Sequence, residues 1–124
     1  MKHLTLLALF AIAALTSCNN KTAPQVKDVI DQQYDSLVNC LTDIPTNFAD
    51  LDSIRLDSVA NVLASIKWTP IADGGQLELE KKALYLQKKK DIIIHLGEEF
   101  NRLGRFPSTL NAANLLMQVD QLDN

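Results

Sequence analysis

Three clusters of backbone breakers divide this chain, and between them the apolar residues recur at helical spacing. The breakers are Ile44-Pro45-Thr46-Asn47, Thr69-Pro70 through Gly74-Gly75, and Gly104-Arg105-Phe106-Pro107. Proline removes a backbone donor and glycine opens positive φ, so each cluster ends regular structure. Ile30, Tyr34, Leu37, Leu41 and Ile44 then share one face of a first helix, predicted from about Pro24 to Asp43. Thr22 with Gln25 fits a capping box, and Pro24 suits a first turn. A second helix is predicted from about Phe48 to Trp68, capped by Asn47 or Thr46, with Leu56, Val59, Leu63 and Ile66 as its stripe and Val62 at the flank. The third and longest runs from about Gly75 to Leu103, roughly 43 Å at 1.5 Å per residue. Asp73 with Gln76 offers its cap and Gly104 its stop. A fourth follows Pro107, with Ala112, Leu115, Val119 and Leu122 on one side.

Ile92-Ile93-Ile94 cannot share one stripe, because consecutive helical residues point about 100° apart. Lys88 to Asp91 before them and Glu98-Glu99 after them favour helix over strand. The third helix is therefore expected to be central and covered on two sides there. One faint echo links the first two helices: Asp35-Ser36-Leu37-Val38-Asn39-Cys40-Leu41 resembles Asp57-Ser58-Val59-Ala60-Asn61-Val62-Leu63. Two matches do not make a repeat architecture, which needs at least three.

The N-terminus carries a different pattern. Lys2 and His3 precede an almost wholly apolar run from Leu4 to Leu15, interrupted only by Thr5. A membrane-spanning helix needs about 20 apolar residues, so this run has the length of a signal-peptide core instead. Leu15-Thr16-Ser17-Cys18 follows: an aliphatic residue, two small residues and a cysteine. This segment resembles the lipobox of bacterial lipoprotein precursors. The resemblance implies diacylglyceryl transfer to the Cys18 sulfur, cleavage before Cys18, and acylation of the new amino group. It covers only about the first 20 residues, and no family resemblance extends to the remainder. An ordinary signal peptide cut after Ala11-Ile12-Ala13 would leave a very short apolar core, and a buried helix is the other alternative. Two or three acyl chains anchor a protein stably where one does not. In a cell with two membranes, the same lipoprotein resemblance, with Asn19 in place of Asp, implies the outer membrane, facing the periplasm.

The expected organisation is thus a signal peptide over 1–17, a lipidated cysteine and short tether over 18–23, and a helical domain over 24–124. The fold class is an all-α bundle of three or four helices. Net charge is −3 for the whole chain, and loss of Lys2 with the signal makes the remainder one unit more acidic. Nucleic-acid binders normally show a basic face, so none is expected as a partner. With Cys18 lipidated, Cys40 has no internal partner and reads as a small buried hydrophobe.

No motif for catalysis stands out. His95 shares a helical face with Asp91 and Glu99, but a metal needs three or more well-placed ligands and no second histidine follows the signal. His95 and Glu98 stand in the reverse order of the Glu-x-x-His pattern of di-metal bundles. Asp50-Leu51-Asp52 begins like a calcium loop, then places Ile54 at a ligand position and lacks the loop glycine. Asp73-Gly74-Gly75 lacks the Lys-Ser/Thr of a phosphate loop. Neither Cys40 nor a serine has a local base and orienting group. No cofactor or metal is therefore expected. Charge is uneven: from Cys18 to Asp73 there are eight Asp and four basic residues, and from Gly74 to Arg105 seven basic and five acidic. Asp28, Asp31 and Asp35 form an acidic stripe, and Lys81, Lys82, Lys88, Lys89 and Lys90 a basic ridge, read as solvated faces or as a docking ridge. The leading expectation is a non-enzymatic, membrane-anchored adaptor that binds another envelope protein. A small-ligand binder with Trp68, Tyr85 or Phe100 lining a cavity is the alternative, and an enzyme with a dispersed site the third.

Overall fold

The computed structural model describes residues 24–123. Among them there are four α-helices and no strand: α1 (Pro24–Thr42), α2 (Ser53–Ser65), α3 (Gly75–Leu103) and α4 (Leu110–Met117), with 3-10 turns at Phe48–Asp50 and Val119–Gln121. The all-α bundle expected from the breakers is therefore present. The signal, Cys18 and the capping residue Thr22 lie outside the described residues. No helix among the described residues is long and apolar enough to cross a membrane.

α3 is the central element and touches every other helix and both 3-10 turns. Its buried side chains are Tyr85, Lys89, Ile93, Leu96 and Phe100, a single stripe stepping by three or four residues. Coverage on two sides is not what forms. Ile93 is buried and Ile92 half-buried, whereas Ile94 is exposed, so one broad face is packed and the third isoleucine faces solvent. α3 ends where expected, at Gly104 in the left-handed region (φ 64°). The Gly104 and Arg105 amides donate to the carbonyls of Asn101 and Phe100, satisfying the last turn without a side chain.

Directions alternate. Lys81 of α3 meets Asp31 of α1, while Lys88, Ile92 and His95 share a groove with Val38, Leu41 and Ile44, so α1 and α3 run parallel. α2 is antiparallel to α3, because Ile54 lies beside Phe100 and Arg105 while Ile66 reaches Tyr85 and Lys89. α4 turns back along the C-terminal half of α3, with Leu116 against Gly97. The result is an up-down-up-down bundle with short connections.

The predicted α1 stripe packs inward: Ile30, Leu41 and Ile44 are buried, with Tyr34 and Leu37 partly so. Cys40 is exposed, contrary to its reading as a buried hydrophobe. One position before Leu41, it is rotated about 100° off the stripe, and phase overrides apolar character. The echo in α2 has the same phase, with Leu63 buried and Val62 exposed.

α2 is shorter than expected at both ends. Phe48 plugs the core from a 3-10 turn instead of beginning the helix. The cap is Asp52, whose carboxylate accepts from the Arg55 amide at 2.8 Å, and Asn47 instead bonds Asp50. At the other end Ile66, Lys67 and Trp68 alternate buried, exposed, buried in the manner of a strand. Asp73 does not cap α3 either. It takes a positive φ of 59°, and Gly74 is the N-cap without a side-chain bond. α4 is capped by Thr109 and stops at Met117, so Val119 and Leu122 reach the core from the final 3-10 turn rather than from the helix.

Candidate interaction site

Two groups of polar residues singled out by the sequence disperse in the fold. His95 Nδ1 lies 3.5 Å from Glu98, both well exposed. Glu99 bonds Arg102 instead, and Asp91 accepts from Gln87, so the face of Asp91, His95 and Glu99 is not assembled. Among the described residues no group of three or more His, Cys, Asp or Glu is placed to hold a metal. The basic ridge is also broken. Lys81 stands 4.7 Å above the Tyr34 ring and 3.7 Å from Asp31, tying the ridge to the acidic stripe of α1. Lys89 leaves the surface altogether.

Lys89 is 1% exposed and donates through Nζ to the Ile66 carbonyl, which also accepts from the Tyr85 hydroxyl at 2.9 Å. Burial lowers the Lys89 pKa to about 8, and nearby Lys67 adds to the effect. Burial likewise pushes the Tyr85 phenol up, with Cys40 a lesser cause. These bonds secure the end of α2. The connection beyond it is stitched by Glu78, which accepts from Trp68 Nε1 and the Ile71 amide, each at 2.8 Å. Gln33 adds a two-way bond to the Thr69 backbone. Gly74 is required by close approach, since a Cβ there would run into the Glu78 side chain. Trp68, Tyr85 and Phe100 are all buried, with the Trp68 and Tyr85 rings 5.9 Å apart, and Phe100 also borders two open grooves. This cluster holds the fold together.

Grooves open to solvent occur elsewhere. One of about 300 Å³ lies between the end of α1, the 44–48 loop and α3, with Lys88 and His95 among its residues. Two others meet at Phe106. The first, about 360 Å³, includes Gly97, Phe100, Pro107, Leu116 and Met117; the second, about 270 Å³, includes Ser53, Ile54, Asp57, Arg105 and Ser108. Phe106 forms part of both and is 79% exposed, as is Ile54, with Met117 at 65%.

Phe106 is exposed, but its backbone is held. Gly104 fixes the turn before it, and Pro107 is buried after it. Ser108 donates twice to Asp57 of α2, from its amide at 2.7 Å and from its hydroxyl at 2.5 Å. Those two bonds hold the Asp57 carboxyl below its usual range. Thr109 adds a bond to Asn61 at 2.6 Å. No protein-family model, curated protein or solved structure matches this chain. By spacing alone, residues 104–107 read as a breaker. A phenylalanine inside the Gly104-Arg105-Phe106-Pro107 breaker, outside every stripe, is the signal there.

Proposed function

We propose that this protein is a small lipoprotein of the bacterial cell envelope, anchored through Cys18, and that it works as a non-enzymatic adaptor whose free end binds another protein. The observation that carries the reading is Phe106, 79% exposed on a loop pinned at Gly104, Pro107 and Ser108. Aromatic side chains supply large contact area with few rotatable bonds, and a pre-ordered loop loses little entropy on binding. Its place in the bundle supports the role. α1 enters beside the start of α3, and Phe106 follows the end of α3, which is 29 residues or about 43 Å long. A tether of five residues, Asn19 to Ala23, spans at most about 18 Å. An anchor at Cys18 then keeps the start of α1 near the bilayer, with Phe106 at the other end of the bundle.

Site-specific photocrosslinking in cells tests this. A photoreactive residue at 106 is expected to capture one envelope protein, and the same probe at Ser36 on α1 is expected to capture none. Capture that Ile54→Asp leaves intact, or no capture at 106, would refute the adaptor role.

A further inference from the structure

The connection from α2 to α3 is exposed and almost uncharged. From Ile66 to Ala72 its only charged residue is Lys67. Thr69, Pro70 and Ala72 face solvent, with Ile71 half-buried. Its backbone nevertheless needs little water. The Thr69 amide donates to Gln33 at 2.8 Å, and the Thr69 carbonyl accepts from the Gln33 side chain at 3.0 Å. The Ile71 amide donates to Glu78 at 2.8 Å, the Ile71 carbonyl accepts from the Gly74 amide at 3.2 Å, and Pro70 carries no N–H. Backbone groups that are already paired lose little on leaving water, whereas unpaired ones lose heavily. Two exposed aliphatic side chains flank the connection. Val29, 49% exposed, stands one turn before Gln33 on the same face of α1, and Leu79, 61% exposed, directly follows Glu78.

We infer that this connection, with Val29 and Leu79, is a shallow membrane-contact surface that rests on the bilayer to which Cys18 anchors the protein. The inference rests on the anchor of the proposed function and adds the face that meets the lipid. Reach decides the occupant. Gln33 stands nine residues after Pro24, a climb of about 14 Å along α1. The tether from Asn19 to Ala23 spans up to about 18 Å, so a tilted bundle brings the connection to the headgroups without straining the tether. The anchor also holds the surface at high local concentration beside the lipid, where even a weak contact is populated. Charge does not drive the contact, because residues 24–33 and 67–82 together carry four lysines and five carboxylates. The gain is apolar, from aliphatic side chains and paired backbone leaving water at the interface. The contact is therefore expected on zwitterionic lipid, with no increase on anionic lipid.

The test uses the full-length protein purified from its membranes, with Cys40→Ser, reconstituted into phosphatidylcholine vesicles. A single nitroxide is placed through Ala72→Cys, Leu79→Cys or Phe106→Cys. Power saturation then compares collisions with oxygen, which concentrates in lipid, and with a water-soluble nickel chelate. The oxygen-to-nickel ratio at 72 and at 79 is expected to be at least twofold that at 106, and to stay the same when phosphatidylglycerol is added. Leu79→Asp should bring the ratio at 72 down to the value at 106, with the far-UV circular dichroism unchanged because Leu79 is exposed. Equal ratios at the three sites overturn the inference, as does a ratio at 72 that Leu79→Asp leaves unchanged. A difference that appears only with phosphatidylglycerol overturns it as well, since the attraction would then be electrostatic. Dipolar broadening between labels at 79 would assign the face to a second copy and has the same effect. Intact mass spectrometry of each preparation separates the two levels. An acylated Cys18 with labels 72 and 79 in bulk water sinks the inference alone, and an unmodified Cys18 removes the anchor together with it.

Discussion

Replacing Lys89 with methionine should make the protein more stable and change how that stability responds to pH. The native ammonium is buried at the end of α2, with a pKa lowered from 10.5 to about 8. The unfolded chain therefore binds more protons than the folded one between these values. Stability must rise with pH across the window from about 8 to 10.5, since a proton held only by the unfolded state favours unfolding. Each pKa unit corresponds to about 1.4 kcal/mol, so the full window is worth about 3 kcal/mol, and the part between pH 7 and 10 about 2–3 kcal/mol. Methionine has a similar unbranched stem and no charge to bury, and the Ile66 carbonyl keeps its bond from Tyr85. Tyr85 has the opposite sign. Its raised pKa favours the folded state less as pH climbs above about 10, the ordinary phenol value, and this trend persists in the variant. Urea denaturation of residues 19–124 at pH 7, 8, 9 and 10 gives the comparison. At pH 7, Lys89→Met should be the more stable protein by about 1–3 kcal/mol, and its advantage should shrink steadily toward pH 10. A variant less stable at pH 7, or an advantage independent of pH, would refute the reasoning.

Ile93→Ala should lower stability by about 2–5 kcal/mol and Ile94→Ala by less than about 0.5, because the first is buried and the second exposed; equal losses in thermal denaturation would contradict the single packed face of α3. Gly74→Ala should cost about 1–3 kcal/mol, since its Cβ displaces Glu78, and the emission of Trp68, the only tryptophan, should shift to the red; unchanged emission would show that Glu78 does not hold the indole. Intact mass spectrometry of protein extracted from membranes should find a mature chain beginning at an acylated Cys18, and an unmodified thiol there would end the lipoprotein proposal.

The helical layout was legible because burial follows phase, and phase is written in spacing. Leu41 and Cys40 illustrate both the strength and the misstep. The stripe through Ile30, Leu41 and Ile44 packs as its spacing predicts, whereas Cys40, apolar in its chemistry, is exposed by its phase. Helix ends were harder, since several side chains compete to cap each one. At the start of α2, Asp52 caps the helix in place of Thr46 or Asn47, because Phe48, buried in the core, holds the chain before it in a 3-10 turn. At its end, a tertiary contact decides. The Ile66 carbonyl is captured from α3, and no local feature of residues 66–68 announces that capture.

Lys89 shows what spacing can reveal when composition misleads. The run Lys88-Lys89-Lys90 reads as a solvated basic face, and most such runs are. Yet Lys89 stands four residues after Tyr85 and four before Ile93, in the line that continues to Leu96 and Phe100. The stripe has a lysine where an apolar residue is expected, and the fold keeps the stripe and buries the lysine. Phe106 is the complementary case. It belongs to no stripe, so no core contact requires an aromatic there, and its backbone is nevertheless held by Ser108 and Asp57. The physics of folding accounts for the polar intruder in the core, because its ammonium finds the carbonyl that ends α2. It does not account for a phenylalanine left in water on a fixed loop, and that asymmetry makes the Phe106 end of the bundle, rather than its buried polar groups, the candidate functional end.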